Sequence, residues 1–195
     1  MKNIIFDVGG VITDFSNTTL RNYLNIPIDE VRELTNYIYH SKEWNECLRG
    51  NITQEELIDI LLSQNLFNKE LLNKFLLSEN LKHILPVYDG ILAELNKLKK
   101  KYKIYILSNM TYNTYNYLKT LGIIDLFDGG VYSYECGLIK PYKGIYELFL
   151  KRYNLNKEEC IFFDDTKVNV DTGNELGIKS ILYKNINDIK NNVDY

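Results

Sequence analysis

The stretch Ile4-Ile5-Phe6-Asp7-Val8-Gly9-Gly10 decides how the rest of the chain is read. Three apolar residues run into an acid and then toward paired glycines. A short apolar run bounded by turn residues reads as a buried strand that ends in a tight turn. Three later segments have the same form. Lys103–Leu107 (KIYIL) ends at Ser108-Asn109, Cys160–Phe163 (CIFF) ends at Asp164-Asp165, and Ser180–Tyr183 (SILY) comes last. Helix-period patterns lie between them over Gly90–Lys101, Thr114–Leu121, Lys143–Tyr153 and Val168–Leu176, with Gly122 and Gly177 where helix C-caps fall. Strands alternating with helices predict an α/β fold on a parallel, doubly wound, Rossmann-like sheet. In such sheets the ligand binds at the carboxyl ends of the strands.

Residues 16–85 break that rhythm and contain no convincing strand. Thr53-Gln54-Glu55-Glu56 is a capping-box pattern that opens an amphipathic helix through Leu57, Ile58, Ile60, Leu61 and Leu62. Ile28–Tyr39 and Lys69–Leu77 are further helix candidates. A run of surface helices on one domain would give this pattern, and so would an all-helical cap inserted after the first strand. The insertion point favours the cap. Pro86 marks the return to the core, so the expected organisation is a core of residues 1–15 and 86–195 with a cap of residues 16–85.

Composition narrows the function classes. The 195 residues are 45% hydrophobic, enough for one well-packed core with a small second lobe. With 23 basic and 26 acidic residues the formal net charge is −3, which argues against a nucleic-acid partner. Cys47, Cys136 and Cys160 are odd in number and far apart, which speaks against a disulfide framework or a zinc site and fits a reducing cytoplasm. The first residues reach Asp7 after three apolar positions, too few for a signal peptide. No apolar run approaches the roughly 20 residues that span a bilayer. The expected setting is cytoplasmic, without a membrane partner, as a monomer or weak homodimer.

Three of the four strand ends carry polar groups: Asp7, Ser108-Asn109 and Asp164-Asp165. Parallel strands bring these ends onto one rim, where clustered carboxylates repel unless a cation lies between them. Magnesium prefers carboxylate, carbonyl and water oxygens and often bridges to phosphate. Asp7 and Asp165 are the natural direct ligands. Lys140, in Gly137-Leu138-Ile139-Lys140-Pro141, supplies a positive charge. An isolated lysine is ordinarily a surface residue, but beside an acidic metal site it would neutralise a phosphate and a nucleophilic carboxylate together.

Phe6-Asp7-Val8-Gly9-Gly10-Val11, Leu107-Ser108-Asn109, Ile139-Lys140-Pro141 and Phe163-Asp164-Asp165-Thr166-Lys167-Val168-Asn169 resemble the four motifs of haloacid dehalogenase-like hydrolases, in order and across the whole chain. The subgroup they look most like has a helical cap and contains the phosphatase domain of soluble epoxide hydrolases and bacterial sugar-phosphate phosphatases. The resemblance implies a phosphatase acting on a small organic phosphate, such as a sugar phosphate, with Mg2+ as cofactor. Asp7 would be the nucleophile that forms an aspartyl-phosphate. Ser108, Asn109 and Lys140 would hold the phosphoryl group. Asp7, the Gly9 carbonyl and Asp165 would bind the metal, with Asp164 binding it or orienting its waters, and Asn169 would support that loop.

One position departs from the pattern. The first motif of the family is Asp-x-Asp, whose second carboxylate protonates the leaving group and then activates water. Here that position is Gly9. Its carbonyl is retained, but the general acid/base, typically worth about 10²–10⁴-fold, is not. Asp14 is the nearest downstream carboxylate that would compensate, although an acid at this position more ordinarily serves a turn or the cap hinge. A 2-haloacid dehalogenase also lacks the second acid, but such enzymes use no metal, so the paired Asp164-Asp165 speaks for a phosphatase. A catalytically weak phosphate- or ligand-binding protein of the same fold is a further alternative. In the cap, Arg49 is a cation placed to meet an anionic substrate, and Tyr37, Tyr39 and Trp44 are candidates to line a pocket.

Overall fold

The computed structural model describes residues 1–194. The first strand, β1, runs Asn3–Phe6. The helices α1 (Asn17–Leu24), α2 (Ile28–Tyr39), α3 (Lys42–Leu48), α4 (Gln54–Ser63), α5 (Lys69–Leu76) and α6 (Leu81–Ile84) follow it. The chain then alternates through α7 (Ile91–Leu98), β2 (Lys103–Ser108), α8 (Tyr112–Thr120), β3 (Gly129–Tyr132), α9 (Ser133–Cys136), α10 (Lys143–Arg152), β4 (Cys160–Asp164), α11 (Lys167–Glu175), β5 (Lys179–Leu182) and α12 (Ile186–Asn192). All strands are parallel, in the order β3-β2-β1-β4-β5. The α/β class and doubly wound sheet read from the sequence are what the structure contains.

Side chains alternate across the sheet, as strand geometry requires. Ile4, Phe6, Ile104, Ile106, Ile161 and Phe163 pack into one buried layer. Ile5, Tyr105, Leu107 and Phe162 pack into another, against Ile145, Tyr146 and Phe149 of α10. Both faces of the central strands are therefore covered. This is why those strands read as continuous apolar runs rather than as alternating ones.

β3 has no counterpart in the sequence reading. Its sequence is Gly129-Gly130-Val131-Tyr132, and paired glycines ordinarily mark a turn. Here they make room for an aromatic ring. Tyr153 donates its hydroxyl to the Gly130 carbonyl at 2.8 Å and accepts from the Gly130 N–H at 2.7 Å. A Cβ at Gly129 would collide with the Tyr153 ring.

The helices between β1 and α7 bury their own apolar cluster, including Leu20, Leu34, Ile38, Leu57, Leu61 and Leu72. α2 begins and ends where the periodicity places it, and the Thr53 capping box forms with both of its hydrogen bonds. The segments entering and leaving this helical lobe run side by side. Asp14 N–H donates to the Pro86 carbonyl at 2.8 Å and Tyr88 N–H to the Ile12 carbonyl at 3.0 Å, with Thr13 bridging to Val87. The two chain crossings between lobe and core thus lie side by side in one short antiparallel seam.

Candidate active site

The strand register fixes which side chains meet. Phe6 of β1 lies level with Phe163 of β4 and Ile106 of β2, and Asp7 N–H continues the ladder by donating to the Phe163 carbonyl at 2.9 Å. Asp7, Asp164 and Ser108 therefore emerge together at the carboxyl edge. Lys140 arrives from the loop after α9 and is almost fully buried.

Its ammonium donates to Asp164 Oδ2 at 2.6 Å and to the Leu107 carbonyl at 2.9 Å, and forms an ion pair with Asp7 Oδ1 at 3.0 Å. Burial works against the charged lysine, yet Asp164 and Asp7 outweigh it and hold its pKa above the ordinary value. The backbone around Lys140 is pinned by Asn109, whose amide accepts from Lys140 N–H at 2.8 Å and donates to the Lys140 carbonyl at 3.0 Å. The sequence reading gave Asn109 a phosphate contact. The structure commits its side chain to placing the lysine.

The two adjacent acids of the fourth motif have different environments. Asp164 is completely buried. Its Oδ1 accepts from Thr166 N–H at 2.8 Å and Asn169 Nδ2 at 3.0 Å, and its Oδ2 from Lys140 and from Asn169 at 3.1 Å. Asp165 is exposed at the rim and accepts from the Thr166 hydroxyl at 3.2 Å. Gly10, at φ 74°, backs onto the Asp165 carboxylate so closely that a Cβ would overlap it. Asn169, expected to support this loop, donates to both Asp164 oxygens. Both Asp164 oxygens are thus engaged by protein donors.

Carboxylate oxygens of Asp7, Asp164 and Asp165 lie within 4.8 Å of one another. Burial pushes the Asp7 carboxyl up to about 7; Asp164 and Asp165 add to the rise, while Lys140 and the Ser108 hydroxyl oppose it. Asp165 is raised too, by partial burial and then by Asp164. Asp7 Oδ1 is buried and meets Lys140 without hydrogen-bond geometry. Two under-satisfied carboxylates facing one another beside a glycine cradle are the donor set that a hard divalent cation takes. Gly9, the expected carbonyl ligand, lines the same cavity.

That cavity has a volume of about 300 Å³ and lies between the acid cluster and the helical lobe. Tyr39 and Trp44 line it, as the sequence reading allowed, and so do Phe15 and Gln54, which it did not single out. Tyr37 and Arg49 are not among the lining residues. Arg49 instead pairs with Glu46 at 3.2 Å. Asp14 does not line the cavity either. It accepts from Ser16 N–H at 2.9 Å and the Thr19 hydroxyl at 2.5 Å. Burial would raise its pKa, but these bonds outweigh it and hold the carboxyl below the usual range. Its carboxylate is thus committed to the turn that opens α1.

A family model described as haloacid dehalogenase-like hydrolase matches residues 1–177. A D-ribitol-5-phosphate phosphatase of Bacteroides thetaiotaomicron is 26% identical over 95% of this chain and 93% of its own. A drimenol cyclase of Aspergillus calidoustus is 25% identical over 94% of this chain, which spans only 34% of that longer protein. Among solved structures, a variant of a HAD-family enzyme of Bacteroides thetaiotaomicron in complex with magnesium and inorganic phosphate superposes with a TM-score of 0.74 at 22% identity, covering 93% of each chain. A dehalogenase superposes at 0.71 and 21% identity, over 92% of this chain and 83% of its own. At these identities the structural matches speak for the fold. Among the described residues no helix is long and apolar enough to cross a membrane.

Proposed function

The chain belongs to the haloacid dehalogenase-like hydrolase family, and from that premise we propose that it is a magnesium-dependent phosphatase of a small organic phosphate, acting through Asp7. The observation that carries this reading is the placement of Lys140 Nζ between Asp7 and Asp164, 3.0 and 2.6 Å away, with Asp165 across the same rim. The site pairs a nucleophilic carboxylate with a fixed cation, and it is rich enough in acid to need a metal.

Asp7 Oδ attacks phosphorus and the bond to the leaving oxygen breaks, giving an aspartyl-phosphate and an alkoxide that takes a proton from solvent. Water then attacks phosphorus, restoring the Asp7 carboxylate and releasing inorganic phosphate. Lys140 and Ser108 hold the phosphoryl oxygens. Asp7, Asp165 and the Gly9 carbonyl would hold Mg2+, which when bound offsets the charge developing on the transferring group. Asp164 and Asn169 keep Lys140 and the motif loop in place, and Asn109 fixes the lysine backbone. Residues 16–85 act as the cap over this site. The ribitol-phosphate phosphatase relative supports an organic phosphate as substrate.

The test is phosphate release from a panel of monoesters, with and without Mg2+, for the wild type and Asp7→Asn. Magnesium-dependent release that Asp7→Asn abolishes is the expected result. Metal-independent halide release from a 2-haloacid would favour the dehalogenase reading. Tight binding of a phosphate analogue with no turnover would make the chain a binding protein.

A further inference from the structure

The threonine hydroxyl protons of the cavity wall are already spoken for. Thr111 donates its hydroxyl to Gln54 Oε1 at 2.8 Å, and Gln54 Nε2 donates to the Leu76 carbonyl at 2.8 Å. A hydroxyl has one proton, so Thr114 must be the donor across the 3.1 Å Thr111–Thr114 contact. Thr13 donates to the Val8 carbonyl and Thr166 to Asp165. Apart from Ser108 in the phosphate site, one lining hydroxyl remains. Tyr39 Oη is buried and has no hydrogen-bond partner among the described residues.

Around Tyr39 the wall is aromatic and aliphatic. Its ring packs at centroid distances of 5.1 Å on Phe15, 5.3 Å on Trp44 and 5.7 Å on Phe75. Leu81 and Ile84 continue the surface. The only ionisable lining residues are Asp7, Asp165, Lys140 and Tyr39, so the lobe side of the cavity carries no charge. A polyol entering here would find few free donors for its hydroxyls along this wall, and leaving buried hydroxyls short of partners is costly. An apolar ring would replace water on surface that makes no demand for hydrogen bonds, and it would have aromatic edges and faces to stack on.

We infer that this enzyme takes the phosphate monoester of a small, apolar, ring-bearing alcohol rather than a polyol phosphate, the ring resting among Phe15, Tyr39 and Trp44 and the Tyr39 hydroxyl donating to the one polar atom beyond the phosphate. The inference rests on the phosphatase reading and concerns the lobe half of the same cavity. The volume of about 300 Å³ is at the small end of ligand pockets and suits one ring plus a phosphoryl group.

The test compares competitive inhibitors in the presence of Mg2+, with acetyl phosphate, which needs no ring pocket, as substrate. Benzylphosphonate should bind at least about tenfold tighter than inorganic phosphate, and 2,3-dihydroxypropylphosphonate no tighter than inorganic phosphate. Trp44→Ala should narrow the gap between the two phosphonates at least threefold. Tyr39→Phe should weaken hydroxymethyl-substituted benzylphosphonate more than the unsubstituted compound. If acetyl phosphate is hydrolysed but the dihydroxypropyl compound binds as well as the benzyl one, the inference falls and the phosphatase reading stands. If acetyl phosphate and the wider monoester panel are all inert, that reading falls and takes the inference with it.

Discussion

Asp164 Oδ2 lies 2.6 Å from Lys140 Nζ, closer than the 3.0 Å between the same ammonium and Asp7 Oδ1. The buried acid is the lysine's principal partner, and Asp7 is left less neutralised than its distance alone suggests. The adjacent acids should then fail differently when made amides. Asp164→Asn turns a donor toward Lys140 and Asn169 and leaves a buried charge poorly paired, a change that costs about 3–5 kcal/mol of folding stability. Asp165→Asn, at the exposed rim, should leave metal-free stability nearly unchanged and weaken magnesium binding at least about tenfold. Denaturant melts and magnesium titrations of both variants check this. Equal stability losses with equal magnesium affinities would count against the division of roles.

Gly9 and Gly10 should also part company. A Cβ at Gly10 overlaps the Asp165 carboxylate and the backbone there is left-handed, whereas at Gly9 the nearest atoms are those of Phe15 at 3.9 Å, an ordinary contact. Gly10→Ala is expected to displace Asp165 and lower magnesium affinity and turnover about 10–100-fold. Gly9→Ala keeps the backbone carbonyl and should bind magnesium as the wild type does. Magnesium titration followed by thermal shift separates the two. Loss of magnesium binding in both would mean that Gly9 itself cannot carry a side chain.

The difference between these neighbours shows what was and was not legible in the sequence. The strand ending at Asp7 could be read because both faces of β1 are covered and every residue from Ile4 to Phe6 is apolar. The convergence of Asp7, Ser108 and Asp164 followed from parallel topology alone. The different surroundings of Asp164 and Asp165 did not, because which of two consecutive acids turns inward depends on where β4 stops. β3 was hidden because Gly129 and Gly130 serve a ring 23 residues away. The same holds for Asn109 and Lys140, 31 residues apart, and for Tyr39, whose unpartnered hydroxyl is visible only once α2 is packed among the helices of the lobe.

Magnesium binding should be coupled to a proton. In the metal-free protein burial holds Asp7 at about 7, against about 3.9 in an unfolded chain. A carboxyl whose folded pKa is raised stabilises the fold when protonated. That stabilisation is present below about pH 4 and is lost as the pH rises through 7. A cation taking the proton's place should reverse the loss. The magnesium-induced rise in Tm is therefore expected to grow from pH 5 to pH 8. Calorimetry at pH 6.5 in buffers of different ionisation enthalpy should detect proton release, and Asp7→Asn should abolish it. Heats independent of the buffer would place the Asp7 titration elsewhere.

Asp14 is tied to Ser16 and Thr19 away from the cavity, and no lining residue offers a carboxylate beyond Asp7 and Asp165. The leaving oxygen must then depart with little help, and rates on alkyl phosphates should fall steeply as the alcohol becomes less acidic. Gly9 has room for a side chain in its own conformation. Gly9→Asp should raise turnover of alkyl phosphates, within the 10²–10⁴-fold that general acid catalysis supplies. Aryl phosphates, whose phenols leave more readily, should respond less. The measurement is the slope of log kcat/KM against leaving-group pKa, which should flatten in the variant. A parallel slope at a lower rate would mean that the new carboxylate binds metal or repels phosphate instead of delivering a proton. A wild-type slope that is already flat would show that the enzyme draws the proton from another source, and Tyr39 Oη, the one lining hydroxyl outside the phosphate site with no partner of its own, is the group to substitute next.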